Sequence, residues 1–368
     1  GARGLCERSR LMPVEALASS DRPVLALDNG SGWIKCGIAG EESPRTMLAT
    51  SGLDGAGDTR PLKNGVIQDW DVMETYWDHV FTTGMGVNTE RCSVVVTCNL
   101  FETKDNRERL LQSLFESFAV PAAFCSAPCV FELYADGREN GVVVGCGSQC
   151  SYAVLVHEGL PDPRTQLRST VAGEALDSWT AKTVQAAAGC SLEPAVACRL
   201  KEDLGFVRKT ADTAIEGEKQ FTLPDGRTLQ LSAEQRAAIA EPLFNPMLID
   251  EAAGGISQMV ADCIRLRDRD GVLESKTIGR DGTSAWFSNV VVAGGTSCFD
   301  GFDSRLQHDL ALRAPGGTDV RVTAPAERKH AAWLGASILG SLSVMQQMWI
   351  TKEEYDETGP LIVHRKCF

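Results

Sequence analysis

Residues 24–39 read VLALDNGSGWIKCGIA, and residues 141–156 read GVVVGCGSQCSYAVLV. Both stretches run apolar, break at a short glycine-containing turn and run apolar again, the pattern of a β-hairpin. The same hairpin opening two successive units predicts a duplicated architecture. Around the hairpins, strand and helix signals alternate. Ser93–Thr97 (SVVVT) reads as a buried strand, and 106–118 puts Leu110, Leu111, Leu114, Phe115 and Phe118 on one helical stripe. Val290–Ala293 (VVVA) reads as another buried strand and runs straight into Gly294-Gly295-Thr296. Leu334, Ile338, Leu342, Met345 and Trp349 predict the apolar stripe of a late helix, which Pro360 cannot continue. Strands alternating with helices, plus a strand-final glycine loop, predict an α/β fold with a ligand cleft at the carboxyl ends of its strands.

The 368 residues exceed the size at which one core keeps growing, so two lobes are expected. The composition, 43% hydrophobic and 23% charged, is that of a globular protein. A net charge of −13 repels phosphate backbones and anionic lipid, so neither nucleic acid nor membrane is an expected partner. No run approaches the roughly 18 apolar residues that span a bilayer. Residues 1–20 form an extension with Arg3, Arg8 and Arg10 but no continuous apolar stretch, so they do not read as a secretory signal. The 13 cysteines are an odd count, and Cys98, Cys146 and Cys263 sit in apolar runs, which suits reduced thiols in a cytoplasmic or nuclear compartment. Cys125/Cys129 and Cys146/Cys150 could meet as a metal quartet. Their loose spacing and the lack of an adjoining histidine favour core cysteines.

Three loops carry the expected chemistry. In Asp28-Asn29-Gly30-Ser31-Gly32 the glycines let the backbone approach an anion, and Ser31 can donate to a phosphate oxygen. Lys35 adds a point charge, and Asp28 can hold Mg²⁺ directly or through water. Taken alone, such a turn is more often a plain hairpin turn. The second hairpin and the Gly294-Gly295-Thr296 loop weaken that plain reading, because three glycine loops at strand ends can converge on one ligand.

At these residues the chain resembles the actin family. The stretch LALDNGSGWIKCGIAGEESPR looks like that family's first phosphate loop, and NGVIQDWDVMETYWDHVF resembles its segment after the second subdomain. VVVAGGTSCFDGF, APAERKHAAWLGASILGSLSVMQQMWI and TKEEYDETGPLIVHRKCF are similar to its closing third. The resemblance covers about residues 23–368. It implies an actin-like, duplicated ribonuclease H-like α/β fold with two lobes around a nucleotide cleft. It assigns Asp28, Gly30, Ser31, Gly32 and Lys35 to the first phosphate loop, Gly147 to the second, and Gly294, Gly295, Thr296 and Phe299 to the third. Lys201 and Glu202 match its adenosine-contacting helix, and Lys329 its late adenine-side lysine. The implied cofactor is ATP or ADP with Mg²⁺ on Asp28, left open against an empty or water-filled cleft, since Cys198 replaces an arginine of the adenosine pocket.

The implied domains are a small lobe of 21–135 plus 326–368 and a large lobe of 136–325. The large lobe divides into 136–171 with 256–325, and 172–255. The second subdomain shrinks to a link at about 51–60, shorter than in the family, and 189–197 and 210–221 look trimmed. The segment 265–289 is longer than its counterpart and reads as a surface loop. Within it, Trp286-Phe287 is either an exposed anchor or core packing.

The second loop departs most. Where the family carries two carboxylates, this chain has Gly145-Cys146-Gly147-Ser148-Gln149, and Gln149 is expected to crowd the phosphates. Tyr152 stands for a histidine and Pro128 for the glutamine that places the attacking water, with Pro128 in the first turn of a helix. Phosphoryl transfer needs a charge-neutralising cation and a positioned water, and one lost group of this kind costs roughly 10²–10³ in rate. The expectation is therefore no ATPase activity and no catalytic residue. A non-catalytic subunit of a larger protein assembly, with actin or actin-related partners, is expected ahead of a filament-forming ATPase. A phosphotransferase of the same superfold would need an acid near the second loop, and none is evident there. The assembly is expected to be cytoplasmic and cytoskeletal, the axoneme included, with a nuclear chromatin-remodelling complex as the alternative.

Overall fold

The first hairpin forms where its turn predicts it. Val24–Asn29 pairs antiparallel with Trp33–Ile38, with Leu27 opposite Cys36 and Asp28 opposite Lys35. The computed structural model describes residues 22–53, 59–210, 213, 217–249, 254–268 and 282–367. The N-terminal extension, the middle of 265–289 and parts of the 51–60 link and of 210–221 lie outside these described residues.

A six-stranded sheet grows from this hairpin in the order Ile350–Thr351, Ala122–Ser126, Ser93–Thr97, Val24–Asn29, Trp33–Ile38, Thr46–Ala49. Ser93–Thr97 runs parallel to Val24–Asn29, and all five of its residues are buried, as expected of a strand covered on both faces. The second hairpin, Gly141–Cys146 with Ser151–His157, seeds a second sheet in the same way. Val290–Ala293 lies parallel to its first strand, Val290 opposite Val142. Each sheet is thus a hairpin with a parallel strand beside its first member, which is the duplication that the two sequence stretches predict.

Two separate apolar cores fill the lobes. Leu27, Trp77, Val95, Phe131 and Trp333 belong to the first, and Val142, Leu200, Ile264, Val292 and Phe302 to the second. A third, smaller cluster around Val130, Leu133, Val143 and Val154 lies along Pro128–Ala135. Pro128 opens that helix at its first position, where no amide is needed. The helix at 106–118 is Lys104–Gln112 continued by a wider turn at Ser113–Ser117, and Leu110, Leu111, Leu114 and Phe115 are buried.

The chain passes between the sheets twice, at 127–140 and again at 324–349. The two crossings carry the helices Pro128–Ala135 and Ala331–Ser341, packed on one another. A Cβ on Gly335 would lie 1.8 Å from the carbonyl oxygen of Phe131, so only glycine allows this approach. The late helix differs from its predicted stripe. It ends at Ser341, its buried face is Ala331, Trp333, Gly335, Ala336, Ser337, Leu339 and Gly340, and Leu342 is exposed. A helix held between a sheet and another helix is covered nearly all round, and small residues, not a leucine stripe, mark its closest contacts.

Two other expectations resolve here. Trp286 and Phe287 lie at the end of the helix Gly282–Phe287 and are buried in the large-lobe core, so they are packing residues and not an exposed anchor. Three of the four quartet cysteines are distributed, Cys125 in the first core, Cys146 in the second and Cys129 in the third. Among the described residues no group of three or more His, Cys, Asp or Glu could hold a metal ion, and no helix is long and apolar enough to cross a membrane.

Candidate functional site

The carboxyl ends of the central strands of both sheets open onto one cavity of about 470 Å³ between the lobes. That volume is in the range of small-molecule sites. All the residues singled out from the sequence line it: Asp28, Gly30, Ser31, Gly32, Lys35, Gly147, Lys201, Glu202, Gly294, Gly295, Thr296, Phe299 and Lys329. The loops are fixed by contacts to one another. Buried Thr50 holds the first, its amide donating to the Gly32 carbonyl at 3.1 Å and its hydroxyl to the Ser31 carbonyl. Thr296 Oγ1 donates to the Gly147 carbonyl at 2.7 Å, joining the third loop to the second. Gly294 sits at φ +88° with its Cα against the Cys146 carbonyl, where a Cβ would lie 2.3 Å away. The start of the helix Gly173–Ala188 docks on the second loop through the Gly173 and Glu174 amides, which donate to the Gly147 and Ser148 carbonyls.

The charged groups at the cleft floor are paired. Lys35 Nζ lies 2.6 Å from Asp28 Oδ2, with both side chains buried, and Thr97 Oγ1 donates to Asp28 Oδ1 at 3.1 Å. Glu132, on the same face of its helix as Pro128 one turn earlier, is buried and lines the cavity. Its Oε2 accepts from the Tyr152 hydroxyl at 2.5 Å. Burial pushes the Glu132 carboxyl up to about 7, aided by the Asp28 charge and opposed by Tyr152 and Lys35. Sequence reading missed this acid, and the expectation that no acid stands near the second loop is corrected by it. The i, i+4 spacing from Pro128 was the one available signal.

The second loop is packed tightly on its neighbours. The Tyr152 ring lies directly over Gly145, where a Cβ would meet its Cζ at 2.2 Å. Ser148 presses on the first loop, its Cβ 2.9 Å from where a Gly32 Cβ would stand. Gln149 does not crowd the cleft. Its side chain turns outward and accepts from the Asn64 amide at 2.9 Å while donating to Glu174 Oε1 at 3.2 Å. Glu174 also accepts from Ser148 Oγ and pairs with Arg60. Asn64 and Arg60 precede the small-lobe helices and Gln149 and Glu174 belong to the large lobe, so this clasp ties the lobes through the outer side of the second loop.

On the far wall, Lys201 Nζ is held by Asp177 at 2.7 Å and by the Gly173 carbonyl at 3.2 Å. Burial raises the Asp177 carboxyl against the pull of Lys201. Cys198 and Glu202 face each other one turn apart at 3.8 Å, and Phe299 packs on Gly205. Lys329 is exposed at the rim beside Gly295.

The family model described as Actin matches residues 54–204 and 191–368. The chain belongs to the actin family. The match begins after the first phosphate loop, so the place of 28–35 in the actin pattern rests on the paired hairpins and the shared cavity. Actin-family proteins hold ATP or ADP with Mg²⁺ in such a cleft. For a Mg²⁺ held by the protein itself the donor set is thin: Lys35 and Thr97 each engage one Asp28 oxygen, and the second loop offers no carboxylate. The glycine loops and the cavity do suit a phosphorylated nucleotide, though Lys35 and Lys201 must each leave or share a carboxylate to contact it.

Proposed function

We propose that this actin-family protein is a non-catalytic structural subunit of a larger cytoskeletal or axonemal assembly, its nucleotide cleft kept as a support and not as an engine. The observation that carries the reading is the Tyr152 ring lying over Gly145. It fills the space into which a carboxylate at position 145 would extend, so the loss of the metal anchor is built into the packing. Pro128 offers no group to orient water, and Ser148 and Gln149 are committed to contacts with Gly32, Asn64 and Glu174. The likeness of 326–368 to conventional actin supports docking among actin-like partners in the cytoplasm. A nucleotide in this cleft acts as a static ligand, stabilising the fold by mass action.

A specific observation favours a second reading, an active ATPase: Glu132 is a cleft carboxylate one turn from the water-placing position. Phosphate release with Mg²⁺-ATP separates the two. No turnover above background, together with a thermal shift by ATP and ADP alike, is the expected result. Turnover at an actin-like rate that Glu132→Gln abolishes overturns the non-catalytic reading.

A further inference from the structure

Away from the cleft, three thiols and a guanidinium meet where two strands of the small-lobe sheet end. Cys125 is in Ala122–Ser126, opposite Val96 of the parallel neighbour. Cys98 follows that neighbour two residues on, and its amide donates to the Ser126 carbonyl at 2.8 Å. Side chains alternate along a strand, so Cys98 and Cys125 share one face. The last strand, Ile350–Thr351, pairs only with Ala122 and Ala123, which leaves the Cys125 amide without a strand partner. Cys367, just after the helix Val363–Lys366, supplies one: its Sγ accepts from the Cys125 amide at 3.4 Å. All three cysteines are buried. Arg107 reaches in from Lys104–Gln112 and donates through Nη2 to the Cys367 carbonyl at 2.7 Å. Its Nε–H is buried and has no partner among the described residues.

We infer that Cys125 and Cys367 are a peroxide-responsive pair that closes into a disulfide, with Cys125 as the attacking sulfur and Arg107 holding its thiolate. A half-buried guanidinium whose Nε–H is buried and unpartnered, beside three thiols, is poised for an anionic sulfur, since a charge-assisted bond would satisfy the donor and offset the cost of the charge. Hydrogen bonds from Cys367 and Cys98 pull the Cys125 thiol well down, aided by Arg107. Cys98 and Cys367 are pushed up in return. Elsewhere burial acts largely alone and raises the Cys36 and Cys263 thiols to about 12, which marks them as inert.

The chemistry balances with hydrogen peroxide as oxidant. The Cys125 thiolate attacks one peroxide oxygen, the O–O bond breaks, and the leaving hydroxide takes a proton to become water. This leaves a sulfenic acid on Cys125. The Cys367 sulfur then attacks the Cys125 sulfur and the S–O bond breaks. The Cys367 proton leaves with the hydroxide as a second water. Two thiols and one peroxide give one disulfide and two waters. Brief loosening of Val363–Lys366 from the sheet gives the oxidant access. The link joins positions 242 residues apart, a separation at which a crosslink restricts the unfolded chain strongly.

The reduced full-length protein is treated with a few equivalents of hydrogen peroxide, alkylated under denaturing conditions, digested without reductant and mapped by mass spectrometry. The expected product is a Cys125–Cys367 peptide pair, accompanied by a rise in Tm that dithiothreitol reverses. Recovery of both cysteines as separate alkylated peptides, under conditions that oxidise the exposed Cys298, overturns the inference. So does a Cys98–Cys125 link in place of the expected one. Cys367→Ser alters only the last described residue and leaves Cys125 without its resolving thiol. Dimedone is then expected to trap the Cys125 sulfenic acid several-fold more than in the parent, and an unlabelled Cys125 refutes its role as the attacking sulfur.

Discussion

Glu132 stands one helical turn beyond Pro128 in a segment, PCVFELYA, that reads as apolar core. Its carboxyl, raised to about 7 by burial, ionises more readily in the unfolded chain than in the folded one. From the ordinary carboxylate range up to about pH 7 the folded state therefore holds the proton that the unfolded state has lost, and stability falls as pH rises through that window. Above it, the buried charge costs roughly 3 kcal/mol. Glu132→Gln keeps an acceptor for Tyr152 and removes the ionisation. It is expected to be near neutral at pH 5 and stabilising at pH 8, with urea midpoints at the two pH values as the measurement. Equal midpoint shifts at both would show that the acid is not desolvated. Sequence alone marked Asp28, Lys35 and the glycine loops because their types and order carry phosphate chemistry locally. Beyond its spacing from Pro128 it carried nothing to mark Glu132, whose meaning depends on Tyr152 twenty residues away, nor the outward turn of Gln149, which depends on Asn64 in the other lobe.

At the scale of elements, the hairpins and the buried strands were legible because glycine turns and apolar runs are local signals. The helix Ala331–Ser341 was misjudged in its face because its neighbours on two sides are distant in sequence. Its Gly335 contact is the tightest of that packing, with the Phe131 carbonyl where a methyl group would go. Gly335→Ala would gain helix propensity of about 1 kcal/mol. Forcing two helices apart at a backbone contact costs more, typically 1–3 kcal/mol and occasionally beyond. The net expectation is a loss of up to about 2 kcal/mol, read as a lower urea midpoint with unchanged helix content by circular dichroism. A raised midpoint would mean that the crossing helices have room to part.

For the whole molecule, the clasp of Arg60, Asn64, Gln149 and Glu174 sets how readily the lobes separate. Its ion pair is about two-fifths exposed on both sides, so Glu174→Ala is expected to cost under about 1 kcal/mol of global stability. The same substitution removes the shared acceptor of Arg60, Ser148 and Gln149. Hydrogen exchange at 62–67 and 145–150 is therefore expected to accelerate several-fold while the denaturation midpoint barely moves. Unchanged exchange in both loops would show that the lobes are held elsewhere.

The two crossings of the chain between lobes also have a consequence for the order of events during synthesis. Large-lobe strands and helices from Gly141 to Thr323 form one unbroken stretch, complete once that stretch has left the ribosome. The small lobe is made first and finished last. Its core needs Trp333, Met345, Trp349, Ile350, Tyr355 and Val363, which close over Val95, Leu111 and Phe115 only when the final forty or so residues have emerged. Throughout elongation the nascent small lobe presents an apolar sheet face with nothing to cover it. The first third of this protein is thus the part that needs shelter while it waits for the end.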